Sequence, residues 1–385
     1  MIKIKIEPMD TLLFRDSRPF SAGEDTIAEF NFPSPLTFYG AIGNAILNVT
    51  GGVDHKKFID PSFDHPVLGK YDSELKNTRL KLKGPFLHRD GKLFFPPPSN
   101  LWIYGQENKY IPKIALPYDN NYKWDIKKEN LKPLRLPKVE HSKPKPLNKY
   151  ISIDVLSGYL SGKPKTFAGR SEGEFFIKEV RYGHAISQDS QTVKDRCFYS
   201  ATHIRFRENV EGANHKRTGY ILIAEGIEEN DLQDKIIYLG GERRKAIISV
   251  SNAKNIISEQ PEVLEKIKST KKFFIYLATP AIFADGWCMN NNSDFVGAEL
   301  VGAAVNKPKY ISGWRITKNM KGEPRAIKKA VPSGSVYFFE AKLWTDKQFE
   351  DMYKKYHFGK SLSDEYPSAG FGIGLIGSWQ IINRS

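Results

Sequence analysis

Ile2, Ile4 and Ile6 alternate with polar residues at the start of the chain, a period of two that predicts a half-buried strand over residues 2–7. A different period follows. Phe38, Ile42, Ala45, Ile46 and Val49 recur at helical spacing and predict an amphipathic helix from Leu36 to Val49. Ser34 can cap that helix, Pro35 suits its first position, and Gly51-Gly52 can stop it. Between strand and helix lies a long loop carrying Arg15, Asp16, Arg18, Glu24 and Asp25 amid Phe14, Pro19 and Phe20. Long loops without structure of their own are uncommon, and are usually functional or disordered. Phe14, Phe20, Phe30 and Phe32 argue against disorder, because they give the loop groups to pack.

The rest of the chain reads as strand-rich. Arg79 to Lys83 alternates, and Lys92 to Phe95 follows a turn at Asp90-Gly91. Ser152 to Leu160 is a short helix. Tyr199 to Arg207 and Thr218 to Ala224 are strands joined by a polar turn containing Gly212. Ile236 to Leu239 leads into Gly240-Gly241-Glu242-Arg243-Arg244, and Ala246 to Val250 is another strand. Residues 253–268 are partly helical, with a restart at Pro261. Lys272 to Ala278 and Ser335 to Leu343 are strands, and Thr345 to Tyr356 is an amphipathic helix capped by Thr345 or Asp346. The glycine-rich segment 370–377 enters a last strand that runs through Ile382.

Strand, functional loop and helix form the opening of a ferredoxin-like βαβ unit, and the later elements suit a second one. The expected fold is therefore α+β, two tandem ferredoxin-like domains with long insertions. The expected division is 1–215, with a basic insertion around 105–165, and 216–385. No sequence repeat demonstrates the duplication.

At 385 residues, two compact domains are the default. The net charge of +14 suits an acidic partner. A lysine-rich composition from a warm habitat is the alternative source of that charge. The distribution bears on the choice: residues 78–150 hold 16 Lys/Arg against 6 Asp/Glu. Such a block resembles a nucleic-acid footprint more than a uniform solubility bias. Pro133, Pro137, Pro144 and Pro146 lie among its lysines, so residues 105–150 are expected to be a mobile basic insertion or linker. Cys197 and Cys288 make no disulfide framework or zinc pattern. Lys3 and Lys5 interrupt any signal-peptide run, and no apolar stretch is long enough to span a membrane. A cytoplasmic protein is expected.

Catalytic chemistry is sparse. The eight histidines make no HxH or HxxxH pair and there is no Asp-x-Asp cluster, so neither a metal nor another cofactor is expected. His184, near Arg181 and Tyr182, is the one histidine in an arguable functional context. Gly240-Gly241-Glu242-Arg243-Arg244 is a stronger signal: guanidinium forks suit phosphate oxygens and stack on unstacked bases. The alternative there is an exposed turn with solvated arginines. Arg15 and Arg18 share their loop with Asp16, and an internal salt bridge is the competing role. Gly370, Gly372 and Gly374 permit close backbone approach to a phosphate, or serve as a packing device. Arg170 and Arg181, in stretches of interleaved charge and aromatics, complete the candidate RNA-binding set.

These pieces together resemble the third-subunit family of the Cmr complex, the type III-B CRISPR effector, within the RAMP superfamily. The resemblance rests on Glu7-Pro8-Met9-Asp10, then Phe14-Arg15-Asp16-Ser17-Arg18-Pro19-Phe20-Ser21-Ala22-Gly23, then Pro33 to Ala41. Leu239 to Arg244, Ala278 to Phe283 with Gly286-Trp287, Val331 to Tyr337, and the glycine segment complete it. Ser17 stands where the family often has glycine, and residues 105–165 match least.

The resemblance implies two packed RAMP domains, RRM-like in fold, and a subunit without its own nuclease activity. Its implied partners are the 5′ handle of the CRISPR RNA, the large signalling subunit and the first backbone RAMP subunit. Target RNA is reached only indirectly, through guide pairing. The implied sites are RNA-binding and non-catalytic. A competing reading, a metal-independent endoribonuclease that processes CRISPR RNA, would need a general base, for which His184 with Tyr182 is the candidate. A third is a structural adaptor whose charge serves only a protein partner.

Overall fold

The computed structural model describes residues 1–14, 26–28, 32–49, 53–105, 109–118, 131–138, 143–187, 189–211, 214–232, 235–253, 256–289, 293–316 and 322–380. Arg15, Arg18, Glu24, Asp25, Gly51-Gly52, Gly212 and Ile382 lie outside the described residues.

The alternation at the N-terminus forms the strand Ile2–Pro8, with Ile2, Ile4 and Ile6 buried. It is central in an eight-stranded sheet, between Asn214–Glu225 and Lys245–Asn252, antiparallel to both. Lys81–Arg89 lies beyond Asn214–Glu225, and the short strand Ile236–Tyr238 forms the far edge beyond Lys245–Asn252. Taken in chain order, the four longest neighbouring strands are therefore arranged 4-1-3-2. A cut at 215/216 would split the strand Asn214–Glu225 and remove Lys245–Asn252 from its sheet. Strand alternation marks elements but not which sheet they join.

The helix Pro35–Val49 follows the first strand. The Leu36 N–H donates to Ser34 Oγ at 3.3 Å, the expected cap. Phe38, Ile42, Ala45 and Ile46 pack with Ile4, Ile6, Tyr220 and Leu222 in one core.

A second, four-stranded sheet has the order Gly374–Ser378, Lys272–Leu277, Val336–Glu340, Glu299–Ala304, again 4-1-3-2 in chain order. Its helix lies between the third and fourth strands instead. Asp346–Tyr356 starts in a capping box, with Thr345 as the cap and Gln348 returning the bond. The helix Pro261–Thr270 precedes the sheet, with its proline in the first turn as the sequence suggests.

The two sheets pack face to face, and alternation along single strands shows it. Tyr220, Leu222 and Ala224 point into the core under the helix Pro35–Val49, while Ile221 and Ile223 join Phe86, Phe274, Tyr276 and Phe338 between the sheets. On the far side, Phe273, Ile275 and Leu277 meet the helices through Val263, Phe349 and Tyr353. The layers run helix, sheet, sheet, helix. The helix Ile153–Leu160 adds Leu156, Tyr159 and Leu160 to the inter-sheet core.

The described parts of residues 105–150 are paired, unlike the expected linker. Leu101–Tyr104 pairs with both Ile111–Ile114 and Lys145–Pro146, and Leu116–Pro117 pairs with Leu134–Arg135. Lys132 pairs with buried Glu340 at 3.2 Å. Pairing with partners outside the stretch gives order that its own weak periodicity does not reveal. No helix among the described residues is long and apolar enough to cross a membrane.

Candidate nucleic-acid interface

A long antiparallel hairpin, Phe176–Ile186 with Val193–Phe206, stands beside the first sheet. The sequence reading placed a strand on only part of its second arm. Two pieces of the long first loop lie on this hairpin: Thr11–Leu12 pairs with Ile204 and Arg205, and Thr26–Ala28 pairs in parallel with Tyr199–Ala201. The loop is thus built onto a ribbon rather than left to itself.

The Gly-Gly-Glu-Arg-Arg turn reaches the same place. Gly240 has φ +80°, and a Cβ on it would lie 2.5 Å from the Leu13 carbonyl oxygen. The Gly241 N–H donates to that oxygen at 2.8 Å, and the Leu239 N–H closes the turn onto the Arg244 carbonyl, also at 2.8 Å. Phe14, next in the loop, packs against Phe38 and Tyr220. Glu242 and Arg243, both non-glycine, follow with φ of +55° and +49°. Two successive residues in the left-handed region store strain, which collects at functional sites. Arg243 is exposed and lies over the exposed Tyr238 ring, 5.1 Å from its centroid.

Three guanidiniums converge on one carboxylate. Asp10 lies 2.9 Å from Arg205, 3.7 Å from Arg244 and 3.9 Å from Arg181. Glu179 bonds Arg205 and lies 3.3 Å from Arg181, while Glu242 lies 2.7 Å from Arg244. Partial burial opposes charge on Asp10, but the Thr11 backbone N–H, Arg205 and Arg181 outweigh it and hold its carboxyl below the usual range. The bond from Arg205 lowers Glu179 in the same way. His203 is buried beneath the cluster, shares a 3.2 Å hydrogen bond with Thr11 Oγ1 and lies 3.6 Å from Glu242. Burial lowers its pKa against the pull of Glu242. The buried Nε of Arg244 has no acceptor among the described residues.

Of the sequence candidates, Arg181, Gly240, Gly241, Arg243 and Arg244 come together here. Asp10, Glu179, His203 and Arg205 were missed as members of the site. Their signal was the spacing of Glu179 with Arg181 and of His203 with Arg205, which puts each pair on one face of a strand.

Other candidates lie elsewhere. Arg170 pairs with Glu174 at 2.7 Å, within a capping box made by Ser171 and Glu174. Gly370, Gly372 and Gly374 are buried. A Cβ on Gly370 would lie 2.6 Å from the Gly84 carbonyl oxygen, one on Gly372 2.3 Å from the Ser363 nitrogen, and one on Gly374 2.8 Å from Leu362. Their missing side chains allow protein to pack on protein. His184 is exposed opposite Phe198, three positions from Arg181 and hence on the other face of the ribbon. Tyr182, also on that face, stacks on Phe198 at 5.7 Å. Among the described residues, no group of three or more His, Cys, Asp or Glu side chains is placed to hold a metal ion.

The profile of a family of CRISPR-associated proteins, Cas_Cmr3, matches residues 4–379. The chain belongs to the Cmr3 family. A curated relative, the CRISPR system CMR subunit Cmr3 of Saccharolobus solfataricus, is 22% identical over 259 residues. That match covers 66% of this chain and 65% of the relative's length. Among solved structures, a chain of a type III-B Cmr-beta complex bound to cognate target RNA has TM-score 0.49 at 17% identity, covering 91% of this chain and 92% of its own. A chain from that complex with AMPPnP also bound has TM-score 0.47 at 17% identity, with 87% and 86% covered. A chain of a Csm3–Csm4 subcomplex of the type III-A interference complex has TM-score 0.39 at 13% identity, with 88% and 92% covered. The Glu7–Asp10 and Leu239–Arg244 segments meet in the arginine cluster through Asp10 and Arg244.

Proposed function

We propose that this Cmr3-family chain is a non-catalytic, cytoplasmic component of a type III-B Cmr CRISPR effector complex. It binds the 5′ repeat-derived handle of the CRISPR RNA and docks the large subunit and the first backbone RAMP subunit. The observation that carries the RNA reading is the strained turn, which holds exposed Arg243 on Tyr238 beside Arg181, Arg205 and Arg244. Arginines held ready by carboxylates, with aromatic faces beside them, suit the phosphates and splayed bases of a single-stranded RNA end. Arg15 and Arg18, following Phe14 in the loop, extend this set.

We read the two 4-1-3-2 sheets as tandem ferredoxin-like units, with the division between Asn252 and Pro261. Each unit keeps one of the two helices of the ideal fold. This reading has a consequence for RNA. An RRM binds RNA on its open sheet face, but here that face packs on the other sheet through Ile221, Ile223, Phe274 and Tyr276. The handle must then be held by the loop, turn and hairpin.

The endoribonuclease reading asks His184 to act as a base on a phosphate held by nearby arginines. His184 and Arg181 on opposite faces of the ribbon favour the non-catalytic reading. The deciding experiment is binding of the purified chain to labelled handle RNA and to a scrambled RNA of equal length, with and without the large subunit, across a salt series. Preference for the handle is expected, with a log–log salt slope of about −0.7 per neutralised phosphate. Equal affinity for both RNAs in every arm overturns handle recognition. Cleavage of repeat RNA in EDTA, lost in His184→Ala, would establish the nuclease instead.

A further inference from the structure

The helix Pro35–Val49 carries no charged side chain along its whole length. Its inner face packs on the first sheet, and its outer face is flanked by two clefts. One, of about 380 Å³, is lined by Gly40, Gly43 and Leu47 of the helix, by Phe58 and Tyr71, and by Trp314 of a hairpin from the C-terminal half. The other, of about 390 Å³, lies between Ala41, Ala45 and Asn48 of the helix and Ile236 and Tyr238 of the edge strand. Asn44 lines both, so the clefts are two sides of one surface. Gly40 and Gly43 are open: nothing lies within 4 Å of a Cβ built on either.

Three observations mark this surface as one that is covered. Trp314, at the rim, is 63% exposed, and Ile236 and Tyr238 are exposed as well. The strand Ile236–Tyr238 ends its sheet, with no strand on its outer side among the described residues. The two linings hold Lys70, Lys235, Lys245, Arg315 and Arg325 and one acid, Asp72, with Arg315 paired to Glu323 at 3.5 Å and Arg325 donating to the Ser73 carbonyl at 2.8 Å. The Asp72 carboxylate is occupied, accepting the backbone N–H groups of Glu74, Lys76 and Asn77. The surface is thus an apolar floor with a cationic rim.

We propose that this face seats a partner protein through an apolar segment with acidic flanks. The apolar floor fits a protein interface core, which is depleted of charge, with a polar rim around it. Single-stranded RNA takes a groove whose positive charge tracks the backbone, and an uncharged helix offers none along its length. Resting on the docking role above, the occupant is the large subunit. The arginine site adjoins this surface at Tyr238, and one chain then holds both partners on neighbouring surfaces.

The test is reconstitution of the full chain with the large subunit, measuring its affinity, with handle-RNA affinity and thermal midpoint measured in parallel. Gly43→Tyr fills the cleft from a position with open space, and replacing a mid-helix glycine favours the helix. It is expected to weaken docking at least tenfold while leaving the midpoint and RNA affinity unchanged. Lys70→Glu is expected to weaken docking several-fold and flatten its salt dependence. Trp314→Ala, at an exposed position, supplies a second variant should Gly43→Tyr fail to fold, and is expected to weaken docking likewise. Failure of the unaltered chain to bind the large subunit would sink the docking role itself, and this proposal with it. Binding by the unaltered chain that survives both Gly43→Tyr and Trp314→Ala would sink this surface alone. A loss of RNA affinity in place of docking would make it an RNA face and overturn the proposal.

Discussion

The backbone N–H of Gly241 donates to the carbonyl of Leu13 at 2.8 Å, fastening the Gly-Gly-Glu-Arg-Arg turn to the start of the long first loop. Two segments far apart in sequence thereby form one surface.

Gly240 is the residue that permits this approach, because its φ is +80° and a Cβ would meet the Leu13 oxygen at 2.5 Å. Gly240→Ala is expected to lower unfolding stability by about 2 kcal/mol, the scale of left-handed strain plus a backbone clash. Handle affinity should fall with it. Urea melts alongside RNA titrations check this, and native stability would refute the docking geometry.

Arg243 is expected to act on RNA and not on the fold. Arg243→Ala should weaken handle binding by about 1–2 kcal/mol, as for one charge-assisted contact, with stability changed by less than about 0.5 kcal/mol. The salt slope should lose about 0.7. Arg18→Ala is expected to weaken binding comparably. Native affinity in both variants, with intact folds, would mean that these arginines are misassigned.

The glycine segment predicts the opposite signature. Gly370 has φ +106° and would place a Cβ 2.6 Å from the Gly84 carbonyl oxygen, so Gly370→Ala should cost about 2–3 kcal/mol of stability. The folded fraction should bind handle RNA with native affinity. A variant with native stability and lost affinity would return this glycine to the RNA site.

Two buried histidines predict acid sensitivity. Burial, reinforced by Lys5 and Lys3, pushes His88 down to about 3, and burial pushes His357 down to about 4. Both titrate near 6.5 in the unfolded chain. Below that pH the unfolded state takes up protons that the folded state does not. Stability is therefore full above pH 6.5 and falls on acidification, by about 1.4 kcal/mol per pH unit for each histidine. Burial also lowers His65 and His203, which add to this slope; urea melts between pH 7.5 and 5 should show it, smaller by about 1.4 kcal/mol per pH unit in His88→Gln. An unreduced slope in that variant would mean that His88 is not buried neutral.

Much of the scaffold was readable as local pattern. Ile2, Ile4 and Ile6 alternate because one face of their strand is buried, and Phe38, Ile42 and Ile46 repeat because one face of their helix is. Ser34 and Thr345 start helices because a side-chain oxygen can satisfy an orphan backbone N–H. The long hairpin was largely missed because both faces of its outer part are open. Val180 and Tyr182 are exposed beside Arg181 and His184, so no alternation of apolar and polar positions marks the strand.

By itself the sequence determined the strand and helix types, the caps, the family-defining segments and the prominence of the Gly-Gly-Glu-Arg-Arg turn. Only the tertiary structure decided that Lys245–Asn252 joins the first sheet, that Ile221 faces a second sheet while Leu222 faces a helix, and that Gly370 meets Gly84. It alone gathered Arg181, Arg205 and Arg244 around Asp10. Periodicity and capping depend on neighbours a few residues apart, which the sequence displays directly. Sheet membership, close backbone approach and charge clustering depend on which distant segments pack together, and that is settled by burying their surfaces against one another.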